Sequence, residues 1–584
     1  MTEADLPLEQ GPAHALAEWE KAAADVLRKS RRLTDSDNDS DVWDKLARTT
    51  LDGIKISPLG TPEQLAGPTE GDRPDRRGAW DVRSLISEPG GKAAAEAALN
   101  DLENGVTSLW IRVGSDGVPV DQLETTLAGV LLDVAPVVLD APDQPLQAAQ
   151  TLARIAGETK LAAGSGLGLD PIGMAARGEE SHADIAQLAQ IANTLGARLF
   201  VVDGTAVHDQ GASDAQELGY VLAAGVHYLR RYADHGVDPT QAAQGLEFRL
   251  SATAEQFPTI AKFRALRRLW GRVLELSGVP QEQRTLLLHG VTSRPMMAKY
   301  DPWVNMLRTT VAAFAAGVGG ADSVTVLPYD QPLGLPDPLS RRNARNTSAL
   351  LIEESHVAKV SDPAGGSYAV EKLTNDLAEA GWAEFTRIEA EGDILEALPS
   401  LLARVAEVAQ RRDAEVARRR RPLTGVSEFP NLHETLPTRA IHPGGSTPVR
   451  RYGWAFEELR DNPVATPVFL ATLGTVAAHT ARATFISNLL AAGGIDVVNP
   501  GAHESLEALL ASYTGPDGGQ PVVCLVGNDA AYADTGAQTV SALREAGAKW
   551  VIVAGKPGDL GVDDSAAMGV DALDFLARTR EQLR

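Results

Sequence analysis

From residue 76 to about residue 400 the chain alternates short apolar runs with longer stretches of helical spacing. Eight apolar runs stand out: VTSLWIRV (106–113), PVVLDA (136–141), KLAAGSGLGLDP (160–171), ARLFVVDG (197–204), LEFRLSA (246–252), TLLLHGVTS (285–293), ADSVTVLP (321–328) and AKVSDPAGGSY (358–368). Helical patterns such as HADIAQLAQIANTLG lie between them. Eight strands alternating with helices predict a (β/α)8 barrel over 76–400 rather than an open doubly wound sheet. A second block, 466–584, repeats the alternation on a smaller scale, with strands at PVFLATLG, IDVVNPG, PVVCLVG and KWVIVAG. That pattern predicts a flavodoxin-like doubly wound domain. Residues 1–75 read as a helical and then extended arm. Residues 401–465 read as a helical and Pro/Gly-rich linker that holds the Arg-rich run RRDAEVARRRR, expected to be a solvated face or helix end.

Composition narrows the partners. The 584 residues carry 54 Lys and Arg against 78 Asp and Glu, a net charge of −24. A nucleic-acid surface needs clustered cations, and so does an anionic membrane, so neither is an expected partner. No apolar run approaches the length of a membrane span. The first residues, MTEADLPLEQ, are acidic and polar and do not read as a secretory signal, so the expected location is the cytoplasm. The one cysteine, Cys524, rules out an internal disulfide and a Cys-based metal cluster; in PVVCLVG it reads as a buried, inert thiol.

Candidate chemistry is sparse. His208, Asp209, His289 and Arg294 fall near the C-terminal ends of predicted strands, the rim where active barrels carry their sites. GSGLGLDP (164–171) is read as a strand end with close backbone approach and GVGGADS (317–323) as a helix stop, in preference to phosphate loops. Residues 362–368, DPAGGSY, read as a turn whose glycines either admit a ligand or simply close the bend. The eleven histidines show no metal-ligand spacing. In the small domain, the loop GTVAAHT after the first strand sits where a cofactor meets this fold, yet offers one histidine among alanines.

Three segments, IAKFRALRRLW (260–270), ARNTSALLIEESHVAKVSDPAGGSYAVEKLT (344–374) and GVSEFPNL (425–432), resemble the adenosylcobalamin-dependent methylmalonyl-CoA mutases, most closely the small subunits of the bacterial heterodimeric enzymes. The resemblance covers roughly residues 80–584. It implies a barrel followed by a cobalamin-type domain, and an enzyme that interconverts methylmalonyl-CoA and succinyl-CoA by a cofactor-borne radical. In the family an Asp-x-His-x-x-Gly motif holds the cobalamin, the histidine ligating cobalt and the aspartate orienting it. On this sequence those positions fall on Val476, Ala478 and Ala481; the preceding family lysine falls on Thr472, and His479 stands one residue out of register. A family Gly-Gly becomes Ala554-Gly555. In the barrel, Leu85 stands for a family tyrosine over the acyl group, and Thr205 and Ala206 for a tyrosine and the histidine that binds the thioester oxygen.

Losses at both sites imply a chain relieved of catalysis. We therefore assign this chain no catalytic, no cofactor-binding and no metal-ligating residue. The resemblance implies that adenosylcobalamin and the acyl-CoA substrate are held by a larger partner subunit in a 1:1 heterodimer. In the arm, Leu16, Trp19, Val26 and Trp43 are apolar spots that could bury against that partner. Two other readings stay open: an acyl-CoA-sensing regulatory module of the same complex, and a chain active in its own right.

Overall fold

The structure, a computed structural model, describes residues 15–65, 73–442 and 449–584. The arm begins with helix Leu16–Lys29, whose apolar face closes with Leu33 and Val42 over a small core of its own. Trp19 and Trp43 pack ring to ring, centroids 4.8 Å apart, and Trp43 Nε1 donates to Glu20 at 2.7 Å. Of the four apolar spots read from the sequence, these two are therefore half-buried within the arm itself; Leu16 and Val26 remain exposed. A two-stranded antiparallel hairpin follows, β1 (Arg48–Thr49) and β2 (Lys55–Ile56). It lies against the chain's own helix Ile394–Ala417, where Arg411 donates to the Leu51 carbonyl at 3.0 Å. The arm's first residues, 1–14, and the turn-rich residues 66–72 lie outside the described residues, as do 443–448 of the linker.

Eight parallel strands close a barrel in the order β3 (Asp81–Ile86), β4 (Ser108–Arg112), β5 (Val137–Asp140), β6 (Gly166–Leu169), β7 (Arg198–Asp203), β8 (Leu246–Ala252), β9 (Leu288–Thr292) and β10 (Ser323–Thr325), with β10 returning to β3. The count of eight is as the sequence suggested, but two of the assignments exchange. Asp81–Ile86 is the first strand, and 358–368 is no strand: it holds a single 3-10 turn, Val357–Lys359, and a bend. β3 was hidden because Arg83 and Ser84 interrupt its apolar pattern; Arg83 points into the barrel, where Glu247 takes its charge at 2.6 Å. The helix Asp214–Ala233 is buried along most of its length. It lies between the strands and the helix Tyr368–Ala390, which explains why consecutive residues from Ala215 to Gly225 are all buried. Ser213 and Gln216 form a capping box at its start. Gly168 marks the close approach expected in GSGLGLDP: its φ is +63°, and a Cβ there would stand 1.8 Å from the Leu139 carbonyl oxygen.

The long helical segment after the barrel is two helices, Tyr368–Ala390 and Ile394–Ala417. The Arg run spans the end of the second helix, as expected, with Arg411, Arg418 and Arg420 exposed, but two of its members also tie the chain together. Arg412 donates to the Gly211 and Ala212 carbonyls, and Arg419 makes a two-pronged pair with Glu428.

The second sheet has strand order β12 (Ile495–Val498), β11 (Val464–Thr472), β13 (Val522–Val526), β14 (Trp550–Ala554), β15 (Asp564–Ala566), all parallel. This is the doubly wound 2-1-3-4-5 arrangement with a short fifth strand that the apolar pattern alone did not reveal. Its core is continuous with the barrel's neighbour elements: Ala298, Val416 and Val426 pack with Phe456, Ile486 and Phe575. Among the described residues no helix is long and apolar enough to cross a membrane.

Candidate functional site

Two sheet edges could carry chemistry: the C-terminal mouth of the barrel and the C-terminal edge of the small sheet. At the mouth a cavity of about 370 Å³ is walled by charged ends of successive strands. Arg112, at the end of β4, pairs with Asp116 and with Asp140 of β5 at 2.6 and 2.8 Å. Asp203, at the end of β7, accepts from Arg177 at 2.9 Å, from Arg249 at 3.2 Å and from the Thr205 hydroxyl at 2.7 Å. Burial opposes ionisation of Asp203, but Arg249 and Arg177 outweigh it and hold the carboxyl well below the usual range. Asp170 has the opposite balance: burial, with Asp203 nearby, pushes it up to about 7.

The floor of the mouth is closed. The Arg249 guanidinium lies 4.0 Å over the Trp110 ring, and its Nε donates to His289 Nδ1 at 3.2 Å. His289 is fully buried; burial and then Arg83, Arg249 and Arg294 keep it neutral. With Nδ1 accepting, Nε2 carries the hydrogen and donates to Thr325 at 2.8 Å. One layer deeper, Arg83 and Glu247 fill the axis.

The rim candidates do not form one site. Asp209 pairs with Arg294 at 3.2 Å. His208 turns inward, its Nε2 at 2.7 Å from Ser293 Oγ and its Nδ1 at 3.5 Å from Glu217. That order of serine, histidine and acid is the order of a nucleophilic relay. Here it is locked: Ser293 is buried and accepts from the Met296 amide, and Glu217 is taken by Lys262 at 2.7 Å and by Ser251. Burial would raise the Glu217 carboxyl, but Lys262 and His208 bring it down to about 2. Leu85 packs with Trp110, Val291 and Leu327 on the cavity wall, and Ala206 is buried in the short helix Thr205–His208. The turn at 362–368 is closed by charge: Asp362 accepts from Arg264, and Glu371 from Arg264, Arg268 and the Gly366 amide. Sequence reasoning missed Arg249, Trp110, Asp203, Arg177 and Arg112. Their signal was a cation or acid inside or ending an apolar run, as in LEFRLSA and LWIRV.

The small sheet's edge is bare by comparison. β11 ends at Thr472, Gly474 turns the chain with φ +77°, and the helix Val476–Ala492 begins. Val476 and Ala481 expose methyl groups, and Ala478 is half-buried. His479 points inward; it is 5% exposed, and its Nδ1 has no partner among the described residues. Thr472 Oγ1 donates to the Gly501 carbonyl and lies 3.2 Å from His503 Nδ1. Arg482 crosses the ends of β13 and β14. It donates to the Gly527 carbonyl at 2.7 Å, pairs with Asp529 and lies 4.9 Å over the Tyr532 ring. A Cβ at Gly555 would stand 3.2 Å from its guanidinium carbon. A corrinoid seated on this edge would need a donor for the metal and an open groove for its tail; these residues present methyl groups and a guanidinium, and do not fit one. Cys524 is fully buried in β13, and burial pushes its thiol well up. Among the described residues no group of three or more His, Cys, Asp or Glu is placed to hold a metal ion.

A family model described as methylmalonyl-CoA mutase matches residues 181–462. The methylmalonyl-CoA mutase small subunit of Streptomyces virginiae is 44% identical over 97% of this chain and 96% of its own length. The small subunit from Propionibacterium freudenreichii subsp. shermanii is 34% identical over 97% of this chain and 94% of its own. The mitochondrial methylmalonyl-CoA mutase of Bos taurus is 36% identical over a shorter stretch, 39% of this chain and 31% of that protein.

Proposed function

Because the chain belongs to the methylmalonyl-CoA mutase family, among its small subunits, we propose that it is the non-catalytic member of a two-subunit mutase. Its partner, a larger homologous subunit, would bind adenosylcobalamin and the acyl-CoA and carry out the isomerisation of methylmalonyl-CoA and succinyl-CoA. The observation that carries this reading is the small-sheet edge: Val476, Ala478 and Ala481 in place of a ligating motif, with Arg482 lying across the strand ends. The barrel supports it independently. A long thioester tail needs an open path, whereas here Arg249 on Trp110 closes the mouth's floor and the Arg83–Glu247 pair fills the axis below. The acids at its strand ends, Asp116, Asp140, Asp203 and Asp209, are already paired with arginines and are not free to move a proton.

What remains for such a chain is to fold and to present a surface. Leu16 and Val26 are exposed apolar residues toward the two ends of the arm's helix Leu16–Lys29, and a subunit contact through the arm would bury them. The proposal is tested by titrating adenosylcobalamin into the isolated chain and into the complex, and reading the cofactor's absorbance. The expected result is no spectral change with the chain alone and one cobalamin per heterodimer in the complex. A stoichiometric, tight adduct with the isolated chain would overturn it.

A further inference from the structure

The outer helices that follow β9 and β10, Val304–Val318 and Pro338–Ala349, show large apolar side chains to solvent. Trp303 is 49% exposed and Leu307, one turn on, is 69% exposed; Leu339 is exposed at the start of the second helix. The two helices touch, with the Asn343 amide 3.7 Å from Met306 Sδ. On the other side, Arg308 donates to the Thr424 carbonyl at 2.7 Å and brings the loop of Phe429 alongside. Phe429 is 70% exposed, so its ring adds almost no burial to this chain's own fold. Yet its backbone is left-handed, with φ +52°, a conformation that an aromatic residue keeps only where the surroundings impose it. They do: Arg460 donates to the Gly425 and Asn431 carbonyls at 3.1 and 2.6 Å, and Arg419 grips Glu428 with two nitrogens. Trp303 is steadied too, stacked on Tyr329 with centroids 4.7 Å apart. Rigid, exposed aromatic anchors with few charges among them have the composition of an interface core, and side chains already held in place lose little freedom on binding.

Charge says what covers the face. The two helices contain no Asp or Glu, in a chain with 78 of them. Arg342 stands exposed on the second helix with no acid beside it among the described residues. A second copy docking through the same face would bring cations and no acid to meet Arg342; a different chain with an acid there would complement it. We propose that this face, the two helices with the loop of Phe429, docks the larger subunit of the mutase, whose surface sets an apolar pocket against Trp303, Leu307 and Phe429 and an acid against Arg342. The inference rests on the small-subunit reading above and adds where the partner sits.

The test uses the full-length chain and the larger subunit. Affinity is measured by sedimentation for the wild type, Leu307→Asp, Trp303→Ala, Arg342→Glu and, as a control, Leu131→Asp, which changes an exposed leucine ahead of β5. Leu307→Asp and Trp303→Ala should each weaken pairing by about 30-fold or more, the scale of an interface anchor. Arg342→Glu should weaken it by about 3- to 10-fold, and more at low salt. Leu131→Asp should pair like the wild type. Hydroxyl-radical footprinting of the wild-type complex needs no variant, and should show Trp303, Leu307 and Phe429 protected. If the wild type pairs while Leu307→Asp and Trp303→Ala pair as well as the control, or if those side chains stay reactive in the complex, the contact lies elsewhere and only this inference falls. Tighter pairing of Arg342→Glu would overturn the acid-bearing partner face. A homodimer of the chain alone that Leu307→Asp disperses would give the face to a second copy. If the wild type ignores the larger subunit altogether, the small-subunit reading itself fails.

Discussion

The two C-terminal sheet edges of this chain differ in what they present. The small sheet's edge has little to react with: exposed methyl groups, an inward histidine and one arginine lying across the strand ends. The barrel mouth has many reactive groups, and nearly all of them are committed to one another. The difference follows from burial. A solvent-exposed side chain can shrink to a methyl at almost no cost to stability, so a cofactor edge can be stripped residue by residue. A buried charge cannot lose its partner without leaving an uncompensated ion in a low-dielectric interior. Charges inside the barrel are thus held by folding alone.

That contrast breaks or stands on Glu217. It is fully buried and satisfies Lys262, the Ser251 amide and hydroxyl, and His208. Glu217→Ala should cost about 3–5 kcal/mol of barrel stability, the scale of breaking a buried pair from one side. Val476→Ala on the small-sheet edge should stay within about 0.5 kcal/mol. Chemical denaturation of both variants, followed by near-ultraviolet dichroism, compares them directly; equal effects would dissolve the distinction between the two edges.

A second, smaller effect is expected at Gly168. The added methyl of Gly168→Ala would meet the Leu139 carbonyl on the neighbouring strand, at a φ that L-residues seldom adopt. The strand must shift to admit it, at a cost of about 1–3 kcal/mol. A thermal melt unchanged from wild type would mean that the backbone there gives way easily.

These residues also mark how far the sequence could be read. Gly168 was legible, since a glycine-rich strand end carries its own signal. The barrel was legible because strands and helices alternate with different periods, a local property of the chain. β3 was not, because Arg83 and Ser84 inside it serve partners on distant elements, Glu247 and Asp101, that a local window cannot contain. The run at 358–368 looked strand-like for the converse reason: its apolar residues anchor a bend whose shape is set by Arg264 and Glu371. The pairing of Arg249 with Trp110 was not legible, because the two are far apart in sequence and meet only when the barrel closes.

The barrel's electrostatic commitment can be sharpened by pH. Asp170 is fully buried beside Asp203, accepts from the Tyr228 hydroxyl at 2.6 Å, and titrates at about 7 against an ordinary value of 3.8. The folded chain therefore holds a proton that the unfolded chain has released between those values. Below the ordinary value the group has no effect; its penalty builds as pH rises and is complete above about 7. Asp170→Asn keeps an acceptor for Tyr228 and removes the titration. The wild type should lose stability relative to this variant as pH rises from about 4 to about 8, by on the order of 1–3 kcal/mol. Parallel melting curves across that range would show that Asp170 is ionised throughout.

The smallest effect on stability, and the sharpest test of the reading proposed for the small-sheet edge, comes from placing the family motif on it. Val476→Asp, Ala478→His and Ala481→Gly are changes at exposed or half-buried positions of one helix, so the triple variant should melt close to the wild type. Restoring the ligand set alone should still give no tight cobalamin complex, because Arg482 remains across the ends of β13 and β14, held by the Gly527 carbonyl, Asp529 and the Tyr532 ring. Adding Arg482→Ala opens the space beside Gly555, and the fourfold variant should then shift the cofactor's absorbance where the triple variant does not. Absorbance titration separates the two. If the triple variant binds as well as the fourfold one, Arg482 is a bystander and the edge was silenced by its missing ligands alone. If neither binds, the groove has closed through packing deeper in the sheet, where the buried side chains of β11, β13 and β14 stand.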